Sequence, residues 1–189
     1  SWTGTRTTCT PPQRSCPSTE ARGTPERMND SLSQLAALAR ANFTGKAWQG
    51  AALAGAVRGL SASAALRRPA KGRRNIHEIF LHAVYWKYAV RRRLNPSDDA
   101  PFRGSPSNWP AAPTSPDERQ WKRAVRLLKD EHESLMRAIE GLDEASLDQV
   151  PPGGRTWTRA QLIMGIASHD AYHTGQVQLL KKLIPARSK

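Results

Sequence analysis

Imidazole is the side chain in this sequence best suited to holding a metal ion, and the chain contains five histidines. Two of them, His169 and His173, stand four residues apart. On a helix that spacing puts both rings on one face, one turn apart, as two nitrogen ligands of a single ion require. They fall within the series Leu162, Ile166, His169, His173, Val177, Leu180, whose steps of three and four mark an inward-facing seam. His82 has a similar setting in Ile79, His82, Trp86, Val90, so it can face the first pair across a helical core. Any one of these histidines, taken alone, reads better as a core residue satisfied by hydrogen bonds. Three imidazoles on apolar seams must each find partners or stay neutral against desolvation, and one shared divalent ion answers that need. Three neutral nitrogens without a protein thiolate suit Zn²⁺, Ni²⁺ or Co²⁺, with zinc or nickel expected. Such a site leaves a coordination position open. The expected nucleophile is a metal-bound water, acidified to a pKa of about 7, or a metal-bound thiolate.

Neighbouring side chains are candidates to orient these rings or move a proton. Glu78 lies one turn before His82 and Tyr85 nearly one turn after it. His132 sits beside Leu128 and Leu135 on another helix. Competing roles are a helix cap for Glu78 and a partly exposed polar contact for His132. Asp170 points roughly 100° away from His169, which favours an interhelical or surface ion pair. His77 is about 140° around its helix from His82 and is read as peripheral.

The elements that must position these residues are helices. A first helix is expected over 30–43, following Met28, and short helical patches over 51–60 and 61–66. A second long helix opens at Asn75, with Glu78 completing a capping box, and runs to Leu94 before Pro96. Residues 95–114 contain five prolines and read as an irregular connection pinned by Trp109. Ser115, Pro116 and Glu118 signal a third long helix reaching about Ile139. The fourth starts at Thr158, with Gln161 in the capping-box position, and stops before Pro185.

The length of 189 residues suits one domain with additions. Residues 1–27, which include Cys9 and Cys16, lack hydrophobic periodicity and are expected to be a disordered leader, with the folded domain spanning 28–189. The six-residue gap between the cysteines is not the tight pair of a zinc site. No run approaches the roughly 18–20 apolar residues of a membrane span and no signal peptide is evident, so a cytoplasmic protein without a membrane partner is expected. Net charge is +13; the leader's four Arg and two Glu account for +2, leaving +11 for the rest. Its densest clusters are Arg67, Arg68, Lys71, Arg73, Arg74 and Arg91, Arg92, Arg93. These could draw an acidic partner, but the tryptophans do not alternate with basic residues as in a stacking platform, so nucleic acid is not the expected partner.

The segments Asn75-Ile76-His77-Glu78-Ile79-Phe80-Leu81-His82-Ala83-Val84-Tyr85-Trp86 and His169-Asp170-Ala171-Tyr172-His173-Thr174-Gly175-Gln176 resemble the helix signatures of the DinB/YfiT-like family, the damage-inducible metal-binding proteins and not the translesion polymerase. The resemblance covers about residues 29–184. It implies an all-α fold, a four-helix bundle with long connections between helices 1 and 2 and between helices 2 and 3. It also implies one divalent ion held by His82, His169 and His173, and frequent dimerisation. Relatives with assigned activities are bacillithiol or mycothiol S-transferases and a mycothiol-dependent maleylpyruvate isomerase. The expected function is therefore metal-dependent activation of a small thiol or of water toward an electrophile. The alternative is a non-catalytic, metal-binding stress-response protein whose basic surface meets an acidic partner.

Overall fold

The computed structural model describes residues 30–98, 101–105 and 107–184. The leader expected over 1–27, with Cys9, Cys16 and the start at Met28, lies outside the described residues. Six α-helices and no strand occur among the described residues: α1 Asp30–Phe43, α2 Leu53–Ala56, α3 Ala62–Leu66, α4 Ile76–Leu94, α5 Glu118–Glu140 and α6 Arg159–Leu183. Four are long. Of these, α4 packs on α5 and α6, and α1 packs on the same two. No described helix is long and apolar enough to cross a membrane.

Local chemistry sets the helix starts. Asn75 accepts from the Glu78 amide at 2.8 Å, and Glu78 accepts from the Asn75 amide at 3.1 Å, so two orphan donors of α4 are satisfied reciprocally. Thr158 and Gln161 do the same for α6. The start of α5 differs from the sequence expectation. Its cap is Asp117, not Ser115, because the Asp117 carboxylate takes both the Arg119 and Gln120 amides, at 2.7 and 3.1 Å. Glu118 is then released from the expected capping box and accepts the Ala62 amide at 2.8 Å, tying α3 to α5.

The interior has two apolar clusters. One gathers Phe43, Leu53, Ile76, Phe80, Trp121 and Val177; the other gathers Leu32, Leu94, Leu135, Met136 and Ile163. On each of α4, α5 and α6 the two clusters are separated in sequence by buried polar residues: Lys87 on α4, Glu131 and His132 on α5, Asp170, His173 and Thr174 on α6. Arg91 is another buried cation. Although it belongs to the basic cluster Arg91–Arg93 that could draw an acidic partner, it is 2% exposed and pairs with Asp98 and Glu131. Burial would not tolerate that guanidinium without those carboxylates.

Glu78 also receives a two-pronged contact from Arg68, at 2.7 and 2.8 Å, and a longer one from Arg74 at 3.4 Å. Burial works against its charge. The Arg68 hydrogen bonds, the Asn75 amide and the charges of both arginines prevail, and hold its carboxyl below the ordinary 4.5. A carboxyl lowered in the folded state stabilises above its unfolded pKa, and that contribution is lost as pH falls through the folded value. Glu78→Gln keeps the cap oxygen but loses the charge. It should cost about 0.5–1 kcal/mol at pH 7, since Arg68 is partly solvated. Urea unfolding across pH should show the gap closing as pH falls below 4.5; a gap constant with pH would refute the charge role.

Candidate metal centre

Helices α4 and α6 bring His82, His169 and His173 together. His169 Nε2 lies 3.2 Å from His82 Nε2 and 3.0 Å from His173 Nε2, and one ring nitrogen from each histidine falls within 4.8 Å of the others. The opposite nitrogens of two rings are fixed. His82 Nδ1 stands 2.6 Å from the Asn108 carbonyl oxygen, which only accepts, so Nδ1 carries the proton and Nε2 a lone pair. His173 Nδ1 donates to Gln176 Oε1 at 2.7 Å, while the Gln176 amide donates to the Tyr172 hydroxyl at 2.9 Å. His169 Nδ1 is buried without a hydrogen-bond partner among the described residues.

This pattern weighs against three histidines merely bonded to one another. Two lone pairs, from His82 and His173, converge on His169 Nε2, and a proton there could serve only one of them. A divalent cation serves all three. Tetrahedral nitrogens bound at roughly 2.0–2.1 Å stand about 3.3 Å apart, close to the observed separations, so the donor set fits such an ion. Electrostatics agree. Burial pushes His169 down to about 3, with the neighbouring His173, His82 and Lys87 adding to it. His173 is pushed down to about 4, chiefly by burial, and His82 is lowered for the same reason. All three rings are therefore neutral at pH 7, the form that binds a metal.

Aromatic rings hold the site. Trp109, the residue expected to pin the 95–114 connection, stacks on His82 with centroids 3.7 Å apart and planes 5° from parallel. Arg74 lies over the same indole at 4.7 Å. Trp86 approaches His82 and His169 at 6.4 and 6.1 Å.

The family comparison now has a geometry to meet. The sequence model of the DinB superfamily matches residues 47–177, a span containing all three histidines. The chain belongs to the DinB superfamily. No curated protein and no solved structure matches it.

In this DinB protein the supporting residues are distributed differently from the sequence expectation. Glu78 is engaged by Asn75, Arg68 and Arg74, and Tyr85 packs edge-on to Trp86 and Phe102. His132, expected as a partly exposed contact, is 1% exposed and stacks on Phe43 at 3.8 Å. Desolvation explains why it is pushed down to about 3, with Lys87 and Arg40 contributing. The inward face of α6 is broader than the expected seam. Ile166, His173, Val177 and Leu180 are buried as expected, Ile163, Asp170 and Thr174 are buried beside them, and Leu162 and His169 are half-buried at the edge. His77 is buried near Trp121, apart from the three-histidine group. Sequence reasoning missed Asn108 and Gln176. Gln176 was legible in principle, three residues beyond His173 on the same helix; Asn108 acts chiefly through its main-chain carbonyl, which no side-chain pattern reveals.

Beside His169, Asp170 makes an ion pair with Lys87, with Nζ to Oδ2 at 2.6 Å and side chains 2% and 0% exposed. Lys87 Nζ also reaches His132 Nδ1 at 3.3 Å and lies 4.6 Å above the Phe43 ring. Burial drives both members toward neutrality, lowering the ammonium and raising the carboxyl, while their mutual attraction opposes it. Removing one partner strands the other in a buried site. Lys87→Met should therefore lose about 3–5 kcal/mol in chemical denaturation, and adding Asp170→Leu should recover most of it. A single variant as stable as the parent would show that the pair does not hold α4 to α6.

Proposed function

We propose that His82, His169 and His173 hold one divalent ion, zinc or nickel, through their Nε2 atoms. On this reading the protein is a metal-dependent enzyme within the four-helix bundle form of its superfamily. It activates a low-molecular-weight thiol, as bacillithiol- or mycothiol-type S-transferases do, or activates water as a hydrolase. The carrying observation is the convergence of three ring nitrogens, with two opposite nitrogens tied to carbonyl oxygens. When bound, such an ion supplies an open position at which a thiol or water loses its proton at neutral pH.

The chain's own residues do the rest. The Asn108 carbonyl and Gln176 fix the tautomers of His82 and His173. A cavity of about 500 Å³ beside Trp109 and Gln176 is rimmed by Arg73 and Arg74, which suits the carboxylates of an acidic thiol. In the transfer, the sulfur bonds to the electrophilic carbon as the leaving group departs with its electron pair, and the thiol proton passes to solvent. The setting we infer is the cytoplasm, where small thiols are kept reduced. We also infer a homodimer through an exposed face of α6 carrying Met164 and Tyr172. Light scattering should give twice the chain mass, and Met164→Glu should give one; a monomeric parent would refute this.

The alternative of a non-catalytic protein with a basic docking surface has less support. Arg91 is buried and Arg68 is held by Glu78, while Arg74 meets Glu78 only at 3.4 Å and stays half-exposed at the cavity rim. Elemental analysis of untagged protein should find about one divalent ion per chain, lost in His82→Ala, His169→Ala and His173→Ala. Turnover of an electrophile should then require added thiol and vanish on chelation. A well-folded parent that neither carries nor takes up zinc or nickel would overturn the metal reading.

A further inference from the structure

A second cavity, also of about 500 Å³, has His82 and His169 in its wall. Its remaining lining is a run of Trp86, Val90, Trp157, Leu162 and Ile166, with Gln161 and Gly165. No side chain of fixed charge lines it. Gln161 is the one polar lining residue besides the imidazoles, and its carbonyl oxygen is already engaged by the Thr158 amide at 2.9 Å. The size is that of a small-molecule site. The lining side chains of the metal-free site offer an ionised group no counter-charge, the nearest guanidinium being that of Arg93 behind Trp86, 5.8 Å over its ring, whereas a flat apolar molecule would meet two indoles and three aliphatic side chains.

Two details make this more than a surface groove. Trp157, just ahead of α6, is 62% exposed at the rim, an exposure of apolar ring that a bound apolar molecule would relieve. Gly165 lies in the interior of α6, where glycine costs about 1 kcal/mol relative to alanine. A Cβ built at Gly165 meets nothing within 4 Å. Packing does not demand the glycine, and any larger side chain there would project from a position that lines the cavity.

We propose that this cavity binds the electrophilic substrate, and that the substrate is an uncharged, apolar molecule of aromatic or comparable flat shape. This rests on the metal-enzyme reading given above. The arginine-rimmed cavity and the tryptophan-walled one then divide the two reactants by charge. The acidic thiol is held by Arg73 and Arg74, the neutral electrophile by Trp86 and Trp157, with the histidines between.

The test is equilibrium binding of Prodan, an uncharged naphthalene dye whose emission shifts to the blue in apolar surroundings. It is made on the full chain, with and without added zinc, with metal content measured on the same samples. The expected result is saturable, blue-shifted binding that persists without zinc and weakens at least tenfold in Gly165→Leu and in Trp157→Ala. Both variants should keep the parent's helical circular dichroism, since one fills open space and the other trims an exposed ring. In zinc-free protein at 0.15 M salt, anionic anilinonaphthalene sulfonate should bind at least tenfold more weakly than Prodan. Absence of saturable Prodan binding, equal binding by Gly165→Leu, or a preference for the sulfonate would each overturn the proposal. Dye binding that is lost in the variants, in a chain that takes up no metal, would support the cavity assignment and sink the metal reading alone.

Discussion

An ammonium group cannot stay charged in a protein interior without its counter-charge in contact, and the Lys87–Asp170 pair is where this structure meets that constraint. Lys87 follows His82 by five residues on α4, and Asp170 follows His169 directly on α6. Sliding or turning either helix would break the pair before it greatly disturbed an apolar contact, because apolar packing tolerates small shifts and a desolvated ion pair does not. The same bond therefore sets the register in which ring nitrogens from two helices face one another. His132 and Thr174 complete the layer between the two apolar clusters, and Phe43 of the first cluster lies against Lys87.

The site is asymmetric around that layer. On one side Trp109 and Arg74 stack above His82; on the other, Trp86 and Trp157 wall an uncharged cavity. Burial keeps the imidazoles neutral, pushing His169 down to about 3 and His173 to about 4, while the lone pairs of His82 and His173 point at His169.

Much of this was legible in the sequence, for identifiable reasons. Capping boxes are local codes, so the starts of α4 and α6 followed from Asn75–Glu78 and Thr158–Gln161. Where two local codes overlapped, at Ser115, Asp117 and Glu118, the stronger acceptor took the cap and the sequence reading missed it. The three histidines were readable because period and residue type agreed. Burial of Arg91 and His132 was not, since a charged or polar residue becomes interior only when distant partners meet it, here Glu131 and Asp98 for Arg91 and Lys87 for His132. The extra breadth of the inward face of α6 has the same origin: Asp170 is buried because Lys87 is there to receive it.

The carbonyl that holds His82 comes from the main chain of Asn108, in a connection rich in proline. A main-chain oxygen is present whatever side chain the position carries. The Asn108 side chain also favours the protonated ring, so a substitution at 108 would keep the main-chain oxygen and lose the side chain's share. Losing or gaining one residue between α4 and Trp109 would instead displace oxygen and indole together. The length of an irregular loop thus decides where the ring's acceptor falls.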